Sequence, residues 1–178
     1  MRKIVLTFGL IAGAIMSAMM LIALPFQDRI GFERGAIVGY TSMVLAFLMV
    51  YVGVRTYRDN VAGGSVRFGR AFLVGLLITL VATACYVATW EVIYYKLAPD
   101  FSDKYAAYVV QKAKQSGAPQ AEIDAKLKQM AAFKEAYQNP LVNIAYTFLE
   151  PLPVGLLFTL VAAGVVSRKR GPGVAVAT

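Results

Sequence analysis

Long apolar runs without charged residues alternate with short charged segments along this chain. Residues 4–26, 35–54 and 71–90 contain no Asp, Glu, Lys or Arg, and residues 141–167 contain one acid. A helix of about 18 or more apolar residues is long enough to cross a hydrocarbon core of about 30 Å. The pattern therefore predicts an all-α fold, a four-helix transmembrane bundle with spans at residues 4–26, 35–54, 71–95 and 141–167.

The segment between the third and fourth spans, residues 98–140, has a helical pattern of its own. Apolar residues recur at helical spacing on both sides of the interruption SGAP at 116–119. This pattern predicts an extramembrane helical hairpin within one membrane domain that covers residues 1–170, followed by a flexible tail at 171–178. Three roles remain open for the apolar stripes of the hairpin: mutual packing, docking to a protein partner, and contact with the outer leaflet.

Basic residues are concentrated beside the predicted spans. The chain has 18 Lys and Arg against 10 Asp and Glu, a formal net charge of +8. These bases are not gathered with aromatics on one soluble face, so nucleic acid is not expected as a partner. Their density near residues 2–3, 55–70 and 168–170 predicts that both termini are cytoplasmic.

The cytoplasmic loop before the third span is predicted to contact lipid headgroups. Four arginines are expected near phosphate depth: Arg55, Arg58, Arg67 and Arg70. A cytoplasmic partner is the alternative for the same residues. Within this loop Gly63 and Gly64 predict a turn, with Ser65 as the N-cap of the third helix.

One apolar segment occurs twice. VGLLITLVATA at 74–84 and VGLLFTLVAAG at 154–164 share eight of eleven positions. Because small residues let helices approach closely in lipid, an antiparallel pair is predicted with Gly75 beside Ala163, Thr79 beside Thr159, and Thr83 beside Gly155. Similar small rows are Gly9, Gly13 and Ser17 in the first span and Gly35 and Gly39 in the second. Helix packing is the favoured interpretation, and an inverted-repeat transporter is the alternative.

Two acids are flanked on both sides by apolar sequence, Glu91 in TWEVIYY and Glu150 in FLEPLPVG. With Tyr94 and Tyr146 they form a candidate intramembrane polar site at the outer end of the third and fourth helices. The prolines that follow Glu150 predict a helix break there. Two interpretations remain open for the acids: interfacial carboxylates that reach water separately, or a site for a proton, a cation or a ligand. Separate solvation is the expected arrangement.

The sequence offers little catalytic chemistry. Histidine is absent, and Cys85 is the single cysteine. No nucleophile paired with a base is recognisable, and no metal or cofactor is expected. The prediction is therefore that the protein is not an enzyme.

Several separated motifs resemble one known family. They are GYTSM at 39–43, VRTYRD at 54–59, RFGRAFLVGLLITL at 67–80, APDF at 98–101, YQNP at 137–140 and EPLPVGL at 150–156. Together they resemble the bacterial membrane family catalogued as domain of unknown function 4199. The resemblance implies four transmembrane helices with a long extramembrane insertion between the third and fourth, and it implies no activity.

The leading functional hypothesis is a non-enzymatic structural or partner-binding protein of the bacterial inner membrane. It rests on abundant packing surface, sparse chemistry and a hairpin large enough to bind something. Expected partners are membrane lipids and either a protein bound through the hairpin or a second copy of the chain. A proton- or cation-coupled transporter of a small solute, acting as an oligomer, is the first alternative, and a membrane enzyme is the second.

Overall fold

The computed structural model describes residues 1–168, and that part of the chain is helical with no strand. Its helices are α1 (Arg2–Ala23), α2 (Gln27–Asn60), α3 (Phe68–Val92), α4 (Phe101–Gln115), α5 (Gln120–Tyr137), α6 (Pro140–Leu149) and α7 (Leu152–Val166). A 3-10 turn joins α1 to α2, and a π-helical turn, Ile93–Leu97, extends α3. The predicted tail at 171–178 lies outside the described residues.

Three helical stretches are long and apolar enough to cross a membrane: Arg2–Asn60, Phe68–Leu97 and Pro140–Val166. The first contains a reversal, because α1 and α2 pack side by side, and the backbone leaves the helical conformation at Gly31, inside α2. Gly31 has φ of 73° and ψ of 164°, a conformation that residues with a side chain rarely adopt. The regular part of α2 follows this bend, so it begins close to the predicted residue 35.

Four long helices share one core. α1 packs against α2 and α3, and α7 packs against the same two helices from the other side. The two ends of the bundle are named by what lies there. The termini end contains the starts of α1 and α3, the end of α7 and the loop at residues 61–67. The opposite end is the hairpin end. Phe47, Val50, Val54, Val74 and Ile78 are fully buried in the core.

The α1–α3 interface uses the small row of α1. A Cβ atom added to Gly9 would lie 2.6 Å from Val81, and one added to Gly13 would lie 2.6 Å from Cys85. One turn further, the hydroxyls of Ser17 and Thr89 are 2.7 Å apart. Successive contacts advance by four residues on both helices, so α1 and α3 run parallel.

The α3–α7 interface is antiparallel and uses the repeated segment. The hydroxyls of Thr79 and Thr159 lie 3.1 Å apart, and Thr79 also donates to the Gly155 carbonyl at 3.4 Å. The side chain of Thr79 is also the nearest neighbour of a Cβ added to Gly155, and one added to Gly75 would lie 3.0 Å from Thr159. Gly75 and Gly155 therefore each lie against a threonine one turn away from the predicted partner. Thr83 and Ala163, the predicted partners, are fully buried.

Two further local expectations are wrong. A Cβ on Gly35 or Gly39 would meet no atom within 4 Å, so this row does not pack against another helix. Ser65 is not the N-cap of α3, which begins at Phe68 after an extended Arg67. The glycine turn has φ values of 67° and 86°, and Val66 then packs against the core, which keeps the chain extended before the helix starts.

The helices α4 and α5 form a hairpin that packs on itself and on the start of α2. Phe32 of α2 contacts the rings of Phe101, Tyr105 and Tyr108 at centroid distances of 5.7, 5.5 and 5.2 Å. Ion pairs flank this ring cluster: Lys104 with Asp28 at 3.3 Å, Lys112 with Glu33 at 3.2 Å, and Lys134 with Asp103. Much of the aromatic stripe of the hairpin is therefore occupied by contacts within the chain.

Candidate functional site: a cavity at the hairpin end

A cavity of about 410 Å³ lies between the bundle and the hairpin. Residues from α1 to α6 and the π-helical turn line it, including Met16, Met20, Gln27, Ser42 and Ile93. The volume is within the range of about 300–1,000 Å³ that is typical of small-molecule sites.

Glycines on α2 leave the space that becomes the cavity. Gly31, Gly35 and Gly39 all line it, and a Cβ on any of them would meet nothing within 4 Å. Gly35 and Gly39 are four residues apart and lie on one face of α2, and Gly31 lies at the bend. The backbone of α2 therefore forms one wall, and methionines of α1 line the cavity from another helix.

Glu150 is the one charged side chain among the described residues that line the cavity. It follows the last residue of α6, where Pro151 separates α6 from α7. The Tyr86 hydroxyl donates a hydrogen bond to the Glu150 carboxylate at 2.8 Å. No side chain, including that of Glu150, caps the N-terminus of α7. In the described structure the polar partner of the Glu150 carboxylate is therefore the Tyr86 phenol and not the α7 N-terminus.

A second set of polar groups ties α3, α5 and α6 together beside the cavity. The Trp90 indole N–H donates to the Tyr137 hydroxyl at 3.0 Å, and that oxygen lies 3.4 Å from the Thr147 hydroxyl. Thr147 in turn donates to Asn143 at 3.2 Å. Burial raises the pKa of Tyr137 above its ordinary value, so its phenol stays neutral and can both accept and donate hydrogen bonds.

Aromatic rings form much of the remaining wall. Trp90 and Phe101 meet edge to face with centroids 4.7 Å apart, and Phe101 stacks with Tyr105 at 6.2 Å. Tyr86 and Tyr137 also line the cavity. The site therefore combines one carboxylate with several neutral aromatic side chains.

The structure separates the four residues of the predicted polar site. Glu91 does not line the cavity, and one of its carboxylate oxygens is buried without a hydrogen-bond partner in the described structure. Tyr94 is paired with Ser102 at 3.0 Å. Tyr146 is 56% exposed and packs against the hairpin rings. Of the four, Glu150 alone is among the described residues that line the cavity.

Helical geometry explains why Glu91 is excluded. At about 100° per residue, Trp90 lies about 40° from Tyr86 around α3, but Glu91 lies about 140° away. Glu91 therefore points away from the face that carries the partner of Glu150.

Sequence reasoning missed Tyr86 and Thr147, although a signal was present. Asn143, Thr147 and Glu150 follow a spacing of four and then three residues, which places polar side chains on one face of α6. Tyr86 and Trp90 are four residues apart on α3. Placing the polar face of α6 against the polar face of α3 would have predicted that Glu150 contacts α3.

The four arginines predicted to contact lipid headgroups lie at the termini end. Arg55 and Arg58 pair with Asp59 at 3.7 and 2.7 Å. Arg67 and Arg70 are exposed. None of the four lines the cavity.

Comparison with known proteins identifies a family and no characterised relative. No curated protein and no solved structure matches the chain. The family described as "Protein of unknown function (DUF4199)" matches residues 7–168, which include all seven α-helices except the first five residues of α1. The chain belongs to this family of unknown function.

Proposed function

We propose that the chain is a non-enzymatic, four-span protein of the bacterial inner membrane that binds a small ligand in the cavity at the hairpin end. The observation that carries this proposal is the cavity itself, in which Glu150 and Tyr86 meet among aromatic rings. Such a combination of apolar walls and few convergent polar groups is typical of ligand sites.

The outer surface of the bundle supports a membrane location. Large apolar side chains face outward on several helices, with Ile22 62%, Ile37 64% and Leu157 60% exposed. Burial in lipid removes these side chains from water, whereas a soluble protein rarely exposes apolar surface on this scale. The bend after α1 divides the long first stretch into two spans, which gives four in total.

Both termini are proposed to be cytoplasmic. Arg2, Lys3 and the arginines of the 55–70 loop lie at the termini end, and the hairpin lies at the other. In a Cys85→Ala background, a cysteine at Ser116 should react with an impermeant thiol reagent added to spheroplasts, and one at Gly63 should not. The reverse labelling would invert the orientation.

Ligand binding replaces docking through the hairpin as the leading hypothesis. Docking to a partner was one of three roles left open for the hairpin stripes, and ring contacts of Tyr105 with Phe32 and Phe133 use part of them within the chain. A structural role is retained for the bundle, because α1 and α7 pack closely against α3.

Coupled transport is the second candidate. A carboxylate in a cavity beside a helix break favours it, since such breaks are found at transporter sites. Against it, Phe47, Ile78 and Val74 fill the core below the cavity, so passage requires the helices to separate.

A neutral fluorescent probe tests the cavity without assuming the ligand. Trp90 is the single tryptophan and lines the cavity, so energy transfer from it to 1-aminoanthracene reports a bound dye. We expect saturable transfer in lipid nanodiscs and its loss in Gly39→Leu, which fills the cavity. Gly164→Leu is the matched control, because Gly164 also has open space but does not line the cavity. Equal transfer in all three proteins would contradict the proposal.

A further inference from the structure

We propose that the cavity selects an organic cation, an ammonium group attached to an apolar body, with the ammonium held between Glu150 and aromatic faces. This inference rests on the proposed function and names the chemical class of its ligand. Three independent properties of the cavity support it: the charge of the lining, the chemistry of the wall side chains, and the volume.

The charge of the cavity is unbalanced. Glu150 is the one charged side chain in its described lining, and Tyr86 is a neutral donor. An ionised carboxylate has about four acceptor sites, and one phenol satisfies only one of them. The remaining sites face a space that offers no cation from the described part of the protein.

Three lysines at the same end form ion pairs within the hairpin region. Lys104 pairs with Asp28 and with Asp100, the latter at 3.1 Å. Lys112 pairs with Glu33, and Lys134 pairs with Asp103. These pairs hold the hairpin and none of their members lines the cavity, so a cationic ligand does not compete with a resident lysine.

The walls suit a positive group more than any other. Tyr86, Trp90 and Tyr137 present π systems in the same cavity as the carboxylate, and ring faces attract cations, with tryptophan the strongest. Met16 and Met20 supply soft, adaptable surface for an apolar body. An anionic ligand would be repelled by Glu150, and a neutral one would gain nothing from its charge.

The cavity favours an organic cation over a metal ion. Calcium takes about six to eight oxygen ligands, and most side chains around Glu150 are aromatic or aliphatic. A volume of about 410 Å³ instead fits one small organic molecule with its ammonium at one end.

Three probes of similar shape test charge selection in the unaltered protein. Benzyltrimethylammonium carries the cation, neopentylbenzene replaces its nitrogen with carbon, and phenylmethanesulfonate carries a negative charge. Displacement of 1-aminoanthracene in nanodiscs, corrected with empty nanodiscs, gives each affinity. We expect the cation to bind roughly tenfold or more tightly than the neutral isostere, and the anion not to bind, because Glu150 attracts the ammonium and repels the sulfonate.

Matched variants assign the selectivity to one carboxylate. Glu150→Gln should remove the preference for the cation and leave binding of the neutral isostere unchanged. Glu91→Gln makes the same chemical change outside the cavity and should keep the preference. Tyr86→Phe retains the carboxylate and the ring and should also keep it.

The outcomes separate the two proposals. If the neutral dye binds but the three probes bind equally, the cation assignment is wrong and the binding cavity stands. If the preference for the cation survives Glu150→Gln, the assignment of that preference to Glu150 is wrong. If the dye does not bind at all, the proposed function fails first. Should Glu150→Gln fail to fold, the three-probe comparison in the unaltered protein still decides the ligand class.

Discussion

Two regions of the bundle use glycine in opposite ways. Along α1 and α7, Gly9 and Gly155 lie against Val81 and Thr79, where an added Cβ would overlap a neighbour. On α2, Gly39 borders empty space at the hairpin end. The same residue type therefore brings helices into contact in one region and holds a site open in the other. What decides between them is whether another helix faces the glycine.

The largest contrast is expected from removing one aromatic ring in each region. Phe47→Ala empties a fully buried position that contacts α7, and it should lower the free energy of unfolding by about 3–5 kcal/mol. Phe32→Ala, at the rim of the cavity, removes a partly exposed ring and should cost less than half as much. Unfolding by SDS in mixed micelles measures both. Equal costs would show that the core and the cavity wall are packed alike.

The glycine comparison itself gives the next largest effect. Gly155→Ala should destabilise by about 1–3 kcal/mol, because its Cβ meets the β-branched Thr79 and the ring of Phe47. Gly39→Ala makes the identical change beside the cavity and should be neutral or stabilise by up to about 1 kcal/mol through helix propensity. The two variants are compared in the same unfolding assay. A destabilised Gly39→Ala would mean that α2 closes on another helix in solution.

A smaller effect is expected at the threonine pair in the close-packed region. Thr79→Val and Thr159→Val remove a buried hydroxyl contact of 3.1 Å while keeping side-chain volume. A double-mutant cycle should give a coupling energy of about 0.6 kcal/mol, the average for polar contacts between helices in a membrane. Ser17→Ala with Thr89→Val tests the corresponding contact between α1 and α3. A coupling energy of zero in both cycles would mean that the close packing of the helices depends on side-chain shape alone and not on these hydroxyl contacts.

The smallest effect concerns attachment of the hairpin at high pH. Hydrogen bonds to Asp100 and Asp28 raise the pKa of Lys104 above 10.5, and a hydrogen bond to Glu33 raises that of Lys112. Because folding raises these pKa values, the stabilisation is fully present below about pH 10.5 and is lost as pH rises through the folded values. The Trp90 ring contacts Phe101 of α4, so Trp90 fluorescence reports detachment of the hairpin.

The matched control for this titration is the double variant Lys104→Gln, Lys112→Gln. Ionised tyrosines quench Trp90 in both proteins, so subtracting one titration curve from the other cancels this effect. The difference between the two curves should be flat from pH 7 to about pH 10 and should shrink above it. A difference that grows with pH would contradict the assigned sign.

The comparison between the two regions also explains what the sequence could predict. Apolar run lengths predicted an all-helical membrane protein, and the prolines after Glu150 predicted the break between α6 and α7. These features depend on neighbours in sequence. The exact α3–α7 register did not follow, because Gly155 lies against Thr79 and not Thr83, and the local sequence pattern is the same for both registers.

The candidate site was harder to predict because it depends on facing helices. Glu91 and Glu150 look equivalent in sequence, since both are acids surrounded by apolar residues. Their roles diverge because Glu150 faces Tyr86, whereas Glu91 lies on another face of α3. The cavity was not predicted, because Gly35 and Gly39 read as a packing row until the surrounding helices are placed.

The parallel contact between α1 and α3 has a consequence for biosynthesis. Gly9, Gly13 and Ser17 leave the ribosome 72 residues before Val81, Cys85 and Thr89, the partners they need. During that interval α2 is available to α1, but the small row lacks its partner on α3. A chain that ends at Asn60 therefore leaves this close-packing surface uncovered. Synthesis of α3 covers it, so the α1–α3 contact can form only after the third long helix is complete.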